Sequence, residues 1–242
     1  MITVLGGTGF IGSHLVRHLQ REGIAHRAPA RAERLDDQPL GDVIDCAGLT
    51  ADFRGRPTET IDAHVTRVQS LVQTCTFDSY LYLSSTRVYR HIEAGIARED
   101  DAVPVHPDAP DDLYNLSKLM GESIILRTTN GRIARLSNVD GPDASSSFLA
   151  QIRNDARTRG AVELETSLDS EKDYISIDVV VPLLVAIALR GKQRIYNVAS
   201  GTNTTTRALI ESLGCSVTVA PNAPTIRFPR IDITRIREEF GA

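Results

Sequence analysis

Several residue types are scarce in this sequence: it has no tryptophan, two methionines and three cysteines. Cys46, Cys75 and Cys215 show no metal-ligand spacing and are too few for a disulfide framework, so they favour a reducing cytoplasm. An excess of positive charge is missing as well, because the net charge is −4 and the pI is near 5.9. We therefore expect no nucleic-acid partner. The cysteine spacing predicts no bound metal.

Long apolar runs are also missing. The most apolar stretch, VVVPLLVAIAL from Val179, is too short to cross a bilayer and contains Pro182, so it predicts a buried helix. The apolar start of the chain breaks at Gly6, which is not typical of a signal peptide. These features predict a cytoplasmic protein that does not bind a membrane.

The sequence does contain a regular alternation of strand and helix patterns. Strands are predicted at Ile2–Leu5, Ile24–Ala30, Asp42–Ala47, Tyr80–Ser84 and from Arg132, and helices at Ser13–Gly23, Thr58–Cys75 and Asp112–Arg127. This order predicts an α/β fold with a Rossmann-type doubly wound parallel sheet. We expect residues 1–141 to form one domain around this sheet and residues 142–242 a small lobe, interwoven with it in a single compact unit.

A glycine-rich turn, GGTGFIG, joins the first strand to the first helix. Gly6, Gly9 and Gly12 stand where free N–H groups and the positive end of a helix dipole can bind a pyrophosphate. The first glycine permits the tight turn, and the others permit close phosphate approach and helix–strand packing. The pattern predicts a dinucleotide site, and a tight turn without a ligand is the alternative.

A second motif, YNLSK, places Tyr114 and Lys118 on one face of a helix. A neighbouring ammonium and an oxidised nicotinamide both favour the phenolate, so we expect Tyr114 to have a lowered pKa and to act as acid/base. Ser84 and Ser85 end the YLYLS strand, where a hydroxyl can hydrogen-bond a substrate oxygen. The structural alternatives are an exposed Tyr–Lys pair and serines that cap a helix or form a turn.

Together, GGTGFIG, LSSTRVY, YNLSK, RLSNVDGP, YISID and YNVASG resemble the extended short-chain dehydrogenase/reductase superfamily over nearly the whole chain. Within it, the NAD-dependent epimerase/dehydratase family, which acts on nucleotide sugars, is the most similar. The resemblance implies that residues 1–141 form an NAD(P)-binding domain and that the lobe of residues 142–242 binds the substrate. It also implies that Ser85, Tyr114 and Lys118 are catalytic. Predicted cofactor contacts are Gly6, Thr8, Gly9, Phe10, Ile11, Gly12, Arg31, Ala47, Gly48, Ser84, Tyr114 and Lys118. Predicted substrate contacts are Thr86, Arg87 and Asn138, and a homodimer is also implied.

The chain departs from the family pattern after the second strand. Too few residues precede DVIDCAG for the helix, strand and helix that the family has there, so we expect a missing edge strand and an exposed adenine end of the cofactor. The segment AHRAPARAER has no acid before Glu33. Arg31 and its neighbouring arginines favour the phosphate of NADP, whereas the family resemblance favours NAD. The choice between NAD and NADP stays open on these residues.

The residues after Ser85 narrow the choice of reaction. Thr86 and Arg87 stand where sugar dehydratases of the family carry an acidic pair, and an arginine cannot act as a general acid. We therefore expect an NAD(P)-dependent epimerase of a nucleotide-activated sugar, which is an isomerase. The alternatives are an oxidoreductase, namely an NADPH-dependent ketoreductase of a nucleotide keto-sugar or another carbonyl, and a non-catalytic dinucleotide-binding protein. Retention of Ser85, Tyr114 and Lys118 favours an enzyme.

Overall fold

A computed structural model describes residues 1–50, 53–93, 95–109, 111–142 and 147–241. The strands are β1 (Ile2–Leu5), β2 (His26–Arg27), β3 (Asp42–Asp45), β4 (Ser79–Ser85), β5 (Ile96–Ala97), β6 (Gly131–Leu136), β7 (Asn138–Asp140), β8 (Ala161–Leu164), β9 (Glu171–Ser176), β10 (Ile195–Val198), β11 (Asn203–Thr205), β12 (Ser216–Val219) and β13 (Arg230–Ile231). The helices are α1 (Phe10–Arg21), α2 (Pro57–Ile61), α3 (Arg67–Thr74), α4 (Asp112–Leu126), α5 (Phe148–Arg159), α6 (Ile177–Arg190), α7 (Thr206–Leu213) and α8 (Thr234–Phe240). A turn of π-helix (Asp62–Thr66) joins α2 to α3, and a short 3-10 helix (Thr86–Tyr89) follows β4.

Six parallel strands form the central sheet, in the order β10-β6-β4-β3-β1-β2. The predicted α/β fold with a Rossmann-type parallel sheet is confirmed. The chain runs outward from β1 to β2 and then crosses back to β3, so the strand order reverses next to β1. Ligands of such sheets bind outside the carboxyl ends of the strands at this reversal. The fold therefore places the candidate site after β1, β3 and β4.

Helices cover both faces of the sheet because the strands are apolar on both sides. On one face, Leu15 of α1 and Leu184 of α6 pack against Val4 and Leu81. On the other, Val68 of α3 and Ile125 of α4 pack against Tyr80, Tyr82 and Ile133. Apolar burial on this scale supplies the main favourable free energy of folding. It also fixes α4 rigidly against β4 and β6.

The sheet stops early at one edge. The strand β2 has two residues, and no strand of the described ranges lies beyond it. After β2 the chain forms turns until Pro39, which makes a single bridge to Thr76. The predicted absence of an edge strand is thus confirmed.

The second half of the chain contributes to the central sheet and also builds smaller sheets. The helix α6 and strand β10 belong to the central layer, whereas β7, β9 and β11 form a separate sheet. A separate apolar cluster, around Leu149, Val162 and Ile210, joins α5, β8 and α7. The division between residues 1–141 and 142–242 stays a prediction. Within the described ranges, no helix has the length and apolarity required to cross a bilayer.

Candidate active site

The glycine turn after β1 is shaped by two glycines that have no room for a side chain. Gly6 has φ +72°, and a Cβ there would lie 2.7 Å from the Ala47 nitrogen. A Cβ on Gly12 would lie 2.2 Å from the Gly6 carbonyl oxygen. These contacts hold the turn, α1 and the end of β3 together, so the predicted tight turn is present.

Gly9 has a different environment. It begins α1 in an extended conformation, and a Cβ there would meet only the Gly6 oxygen, at 3.4 Å. The helix has no side-chain cap and no acidic residue in its first turn. Its first N–H groups therefore lack intrahelical acceptors and present a positive dipole to the open space above Gly9. This arrangement fits a pyrophosphate.

The other predicted cofactor contacts surround this turn. Thr8 is exposed, and Phe10 and Ile11 are half-buried against the core on the α1 side of the sheet. Ala47 is half-buried at the end of β3. A Cβ on Gly48 would lie 3.3 Å from the Lys118 Nζ, so the loop after β3 connects the glycine turn to the lysine.

The structure brings Ser85, Tyr114 and Lys118 together between the end of β4 and the start of α4. Tyr114 is buried, and the Ser85 side chain lies next to its phenol, where it acts to lower the pKa of that group. The Lys118 Nζ lies 5.9 Å from the centre of the Tyr114 ring and donates a hydrogen bond of 2.9 Å to the Leu83 carbonyl oxygen. The Ser85 hydroxyl also accepts a hydrogen bond from the Arg87 N–H, so it caps the short helix as well.

Burial controls the ionisation of this group. Desolvation raises the pKa of Tyr114 above its usual value of 10.0, while Ser85, Arg87 and Thr50 act in the opposite direction. Burial lowers the pKa of Lys118 to about 8, and Asp45 partly offsets this effect. The prediction that Tyr114 has a lowered pKa is therefore wrong as far as the protein's own side chains are concerned. Desolvation raises the pKa by more than the neighbouring donors lower it. A raised pKa keeps the phenol protonated at neutral pH.

Ser84 has a different role from its neighbour. Its buried hydroxyl donates a hydrogen bond of 2.5 Å to Glu122, which forms an ion pair of 2.7 Å with Arg135. This network ties β4, α4 and β6 together below the site. A contact between Ser84 and a cofactor would therefore come from its main chain, and it stays a prediction.

His64 lies on the π-helical turn and contacts the loop after β3 and the helix α4. Its Nε2 accepts a hydrogen bond of 3.1 Å from the Leu49 N–H, so its Nδ1 carries the proton and donates to the Ser117 hydroxyl at 2.8 Å. The ring meets the edge of the Tyr114 ring at 5.4 Å between centres. Burial, with Lys118 and Arg67, lowers the pKa of His64 to about 2. The imidazole is thus a neutral link between two functional segments.

Sequence reasoning missed a buried ion pair beneath the lysine. Arg67 donates through Nη2 to both oxygens of Asp45, at 2.9 and 2.8 Å, and Tyr80 donates to the same carboxylate at 2.7 Å. Asp45 is one of the acidic groups that stabilise the Lys118 ammonium. An aspartate inside the apolar strand pattern DVIDCA was the signal, because a buried carboxylate requires a partner.

The predicted substrate contacts divide into two groups. Thr86 is buried beside the site, and the Arg87 guanidinium carbon lies 5.9 Å from the centre of the Tyr114 ring. Asn138 lies on β7, where its amide donates a hydrogen bond of 2.8 Å to the Asp173 carbonyl oxygen.

The predicted cofactor contact Arg31 is exposed beyond β2. Across the part of the chain that the structure describes, no cluster of His, Cys, Asp and Glu side chains suits a metal ion.

Comparisons with known proteins identify the family of the chain. The model of the NAD dependent epimerase/dehydratase family matches residues 2–199. The chain is 32% identical over 129 residues to the dTDP-4-dehydro-6-deoxyglucose reductase of Escherichia coli, a match covering 48% of this chain and 38% of that protein. It is 24% identical to the dTDP-6-deoxy-L-talose 4-dehydrogenase (NAD(P)(+)) of Kitasatospora kifunensis, over 99% of this chain and 89% of the relative.

Solved structures show the same fold. The NAD dependent NDP-hexosamine 5,6-dehydratase TunA superposes with a TM-score of 0.82 at 22% identity, over 100% of this chain and 91% of that one. The Pseudomonas aeruginosa RMD complexed with NADPH superposes with a TM-score of 0.78 at 23% identity, over 99% and 92%.

The family match confirms that the protein is an enzyme and that its cofactor is a nicotinamide dinucleotide, so the non-catalytic alternative is wrong. The chain belongs to the NAD dependent epimerase/dehydratase family.

Proposed function

We propose that this enzyme is an NAD(P)H-dependent reductase of a nucleotide-linked keto-sugar. The observation that carries the proposal is the early end of the central sheet at the two-residue strand β2. In doubly wound sheets the adenosine half of a dinucleotide lies on this side of the glycine turn. Little protein is available there to retain the cofactor, which favours exchange after each turnover, as a reductase requires and an epimerase does not.

The buried phenol of Tyr114 also supports a reductase. When bound, the nicotinamide dinucleotide supplies the hydride. Tyr114 donates its proton to the carbonyl oxygen of the sugar, and the raised pKa keeps that proton available at neutral pH. The Ser85 hydroxyl donates a hydrogen bond to the same oxygen as negative charge develops on it. The Lys118 ammonium adds positive charge next to the phenol as it gives up its proton.

Arg87 and Thr86 argue against elimination of water. Neither side chain can serve as the general acid that a departing hydroxyl group needs. The reductase of Escherichia coli and the dehydrogenase of Kitasatospora kifunensis are both named for dTDP-linked deoxy sugars, which supports a nucleotide sugar and a redox reaction for this chain. The remaining candidate, an epimerase, would use the same three side chains.

The residues after β2 favour NADPH over NADH. Glu33 is the first acid after β2, and its carboxylate accepts a hydrogen bond from the Ala30 N–H within a turn. Arg31 is exposed at the same edge and provides a planar group for a ribose phosphate. We therefore propose that NADPH binds more tightly than NADH.

Reduction of dTDP-4-dehydro-6-deoxyglucose tests this function. Purified protein should oxidise NADPH only when the keto-sugar is present, and Tyr114→Phe should lower kcat by about 100-fold or more. Ser85→Ala and Lys118→Met serve as companion variants. Full turnover by Tyr114→Phe would refute the catalytic assignment, and formation of an epimer without loss of NADPH would establish the epimerase instead.

A further inference from the structure

Three arginines surround the carboxylate of Asp111, close to Tyr114. Asp111 pairs with Arg54 at 2.5 Å (Nε to Oδ1), with Arg87 at 3.0 Å (Nη2 to Oδ2) and with Arg90. Lys172 on β9 adds a further positive charge, since burial and then repulsion by Arg87 and Arg90 lower its pKa. We call these five residues the basic cluster.

The charges of the basic cluster do not balance. Three arginines share the single carboxylate of Asp111, and Lys172 adds a fourth positive charge that is repelled by Arg87 and Arg90. Lys172 forms no ion pair with any carboxylate of the described ranges, and its Nζ lies 5.5 Å from the centre of the Phe148 ring. A network that served only to stabilise the fold would match its signs more closely.

Arg87 has unused hydrogen-bonding capacity. Its Nε and Nη2 are buried, and neither donates a hydrogen bond to a residue that the structure describes. The 3.0 Å contact with Asp111 is therefore a close ion pair without the geometry of a hydrogen bond. Buried donors without an acceptor are costly, and none of the described residues supplies one here, so an acceptor on a bound ligand would stabilise this guanidinium.

The position of Arg87 indicates where that acceptor belongs. Its guanidinium carbon lies 5.2 Å from the Phe53 ring centre and 5.9 Å from that of Tyr114, and the two rings are 5.2 Å apart. Because Tyr114 holds the carbonyl oxygen in the proposed function, an anion bound by Arg87 lies close to the reacting carbon. A carboxylate on the sugar meets this requirement better than a diphosphate, which the sugar ring separates from a carbonyl on its opposite side.

We propose that the basic cluster binds a carboxylate carried by the sugar, so that the preferred substrate is a nucleotide-linked sugar acid. This inference rests on the proposed function, because it assumes a nucleotide sugar at Tyr114. Arg87 presents a planar fork that matches a carboxylate, while Arg90 and Lys172 add charge from two different elements. Asp111 holds the arginines in position through its ion pairs.

Titration with matched sugars tests the inference. UDP-glucose is compared with UDP-glucuronic acid, and dTDP-glucose with dTDP-glucuronic acid, by calorimetry on the full chain in the presence of NADP⁺. One of the two nucleotides, UDP or dTDP, will bind better. For that nucleotide, the sugar acid should bind at least about tenfold more tightly than the corresponding neutral sugar. Lys172→Gln and Arg90→Gln should reduce this ratio towards one. Lys192→Gln, the same exchange at an exposed residue after α6, should leave the ratio unchanged.

The outcomes separate the inference from the proposed function. If neutral and acidic sugars bind alike, or if Lys172→Gln weakens both by the same factor, the basic cluster serves the shared diphosphate and the inference is wrong, while the proposed function stands. If the protein binds NADPH but none of the four nucleotide sugars, the inference is overturned, and reduction of the keto-sugar decides the proposed function separately.

Discussion

At the scale of single residues, the site depends on groups whose ionisation is changed by burial. The alternation of the sequence predicted which strand and helix would carry Ser85, Tyr114 and Lys118, but it could not predict their pKa values. Those depend on how much water the packing excludes and on Asp45 and Arg67, which are distant from Tyr114 in the chain. The hydrogen bond from the Ser84 hydroxyl to Glu122 was hidden for the same reason.

His64 makes stability depend on acidity. The folded protein holds this imidazole neutral down to a pH of about 2, its pKa in the fold, whereas the unfolded chain takes up the proton near 6.5. Between these values the unfolded state binds more protons, so the free energy of unfolding falls as the pH falls. At about 1.4 kcal/mol per pH unit, the loss attributable to His64 between pH 6.5 and 5 is about 2 kcal/mol.

We therefore expect His64→Gln to be less sensitive to acid than the wild type. Urea unfolding at pH 7 and pH 5 should show that the decrease in stability is about 2 kcal/mol smaller in the variant. If the free energy of unfolding decreases equally in the two proteins between pH 7 and pH 5, His64 is protonated in the folded state as well.

We expect the ionisation of Lys118 to set the pH above which kcat decreases. Its pKa of about 8 means that the ammonium beside the phenol is lost above that pH. The reductive kcat should fall about tenfold per pH unit above pH 8, since one group loses its charge. In Lys118→Arg the charge persists, so the alkaline decrease should disappear even if the rate is lower at neutral pH. An unchanged alkaline decrease in this variant would assign the limit to another group.

At the scale of elements, the glycine turn, α1 and the parallel strands followed from sequence patterns, because each depends on local spacing and on burial of apolar residues. The π-helical turn at Asp62–Thr66 did not follow. Its sequence reads as ordinary helix, and the extra residue is accommodated where His64 is held by Leu49 and Ser117, which are distant in the chain.

Two glycines of one turn should respond differently to alanine. Gly12→Ala places a Cβ 2.2 Å from the Gly6 oxygen, so the turn must shift, and we expect a loss of stability of about 2 kcal/mol or more. Gly9→Ala meets only one atom, at 3.4 Å, and should leave the Tm nearly unchanged. Because its methyl group enters the proposed pyrophosphate space, it should raise the Kd for NADPH about tenfold or more.

Thermal unfolding and NADPH titration of the two variants measure both effects. The interpretation fails if Gly9→Ala binds NADPH as tightly as the wild type, or if it unfolds as easily as Gly12→Ala.

At the scale of the whole molecule, the cofactor exchange that we propose depends on the short sheet edge at β2. The sequence predicted the missing strand, because too few residues lie between β2 and β3 to form it. It could not predict how residues beyond 141 are shared, since the small sheets are joined by pairings between distant segments. The homodimer and the cytoplasmic location stay predictions.

The reductase that we propose releases its cofactor after each reduction. The most direct measurement is the number of NADP⁺ molecules formed per protein when NADPH and dTDP-4-dehydro-6-deoxyglucose are both in large excess. We predict many equivalents of NADP⁺, matched one to one by reduced sugar. No more than one equivalent, with continued conversion of the sugar to an epimer, would contradict the account and show an enzyme that retains its cofactor.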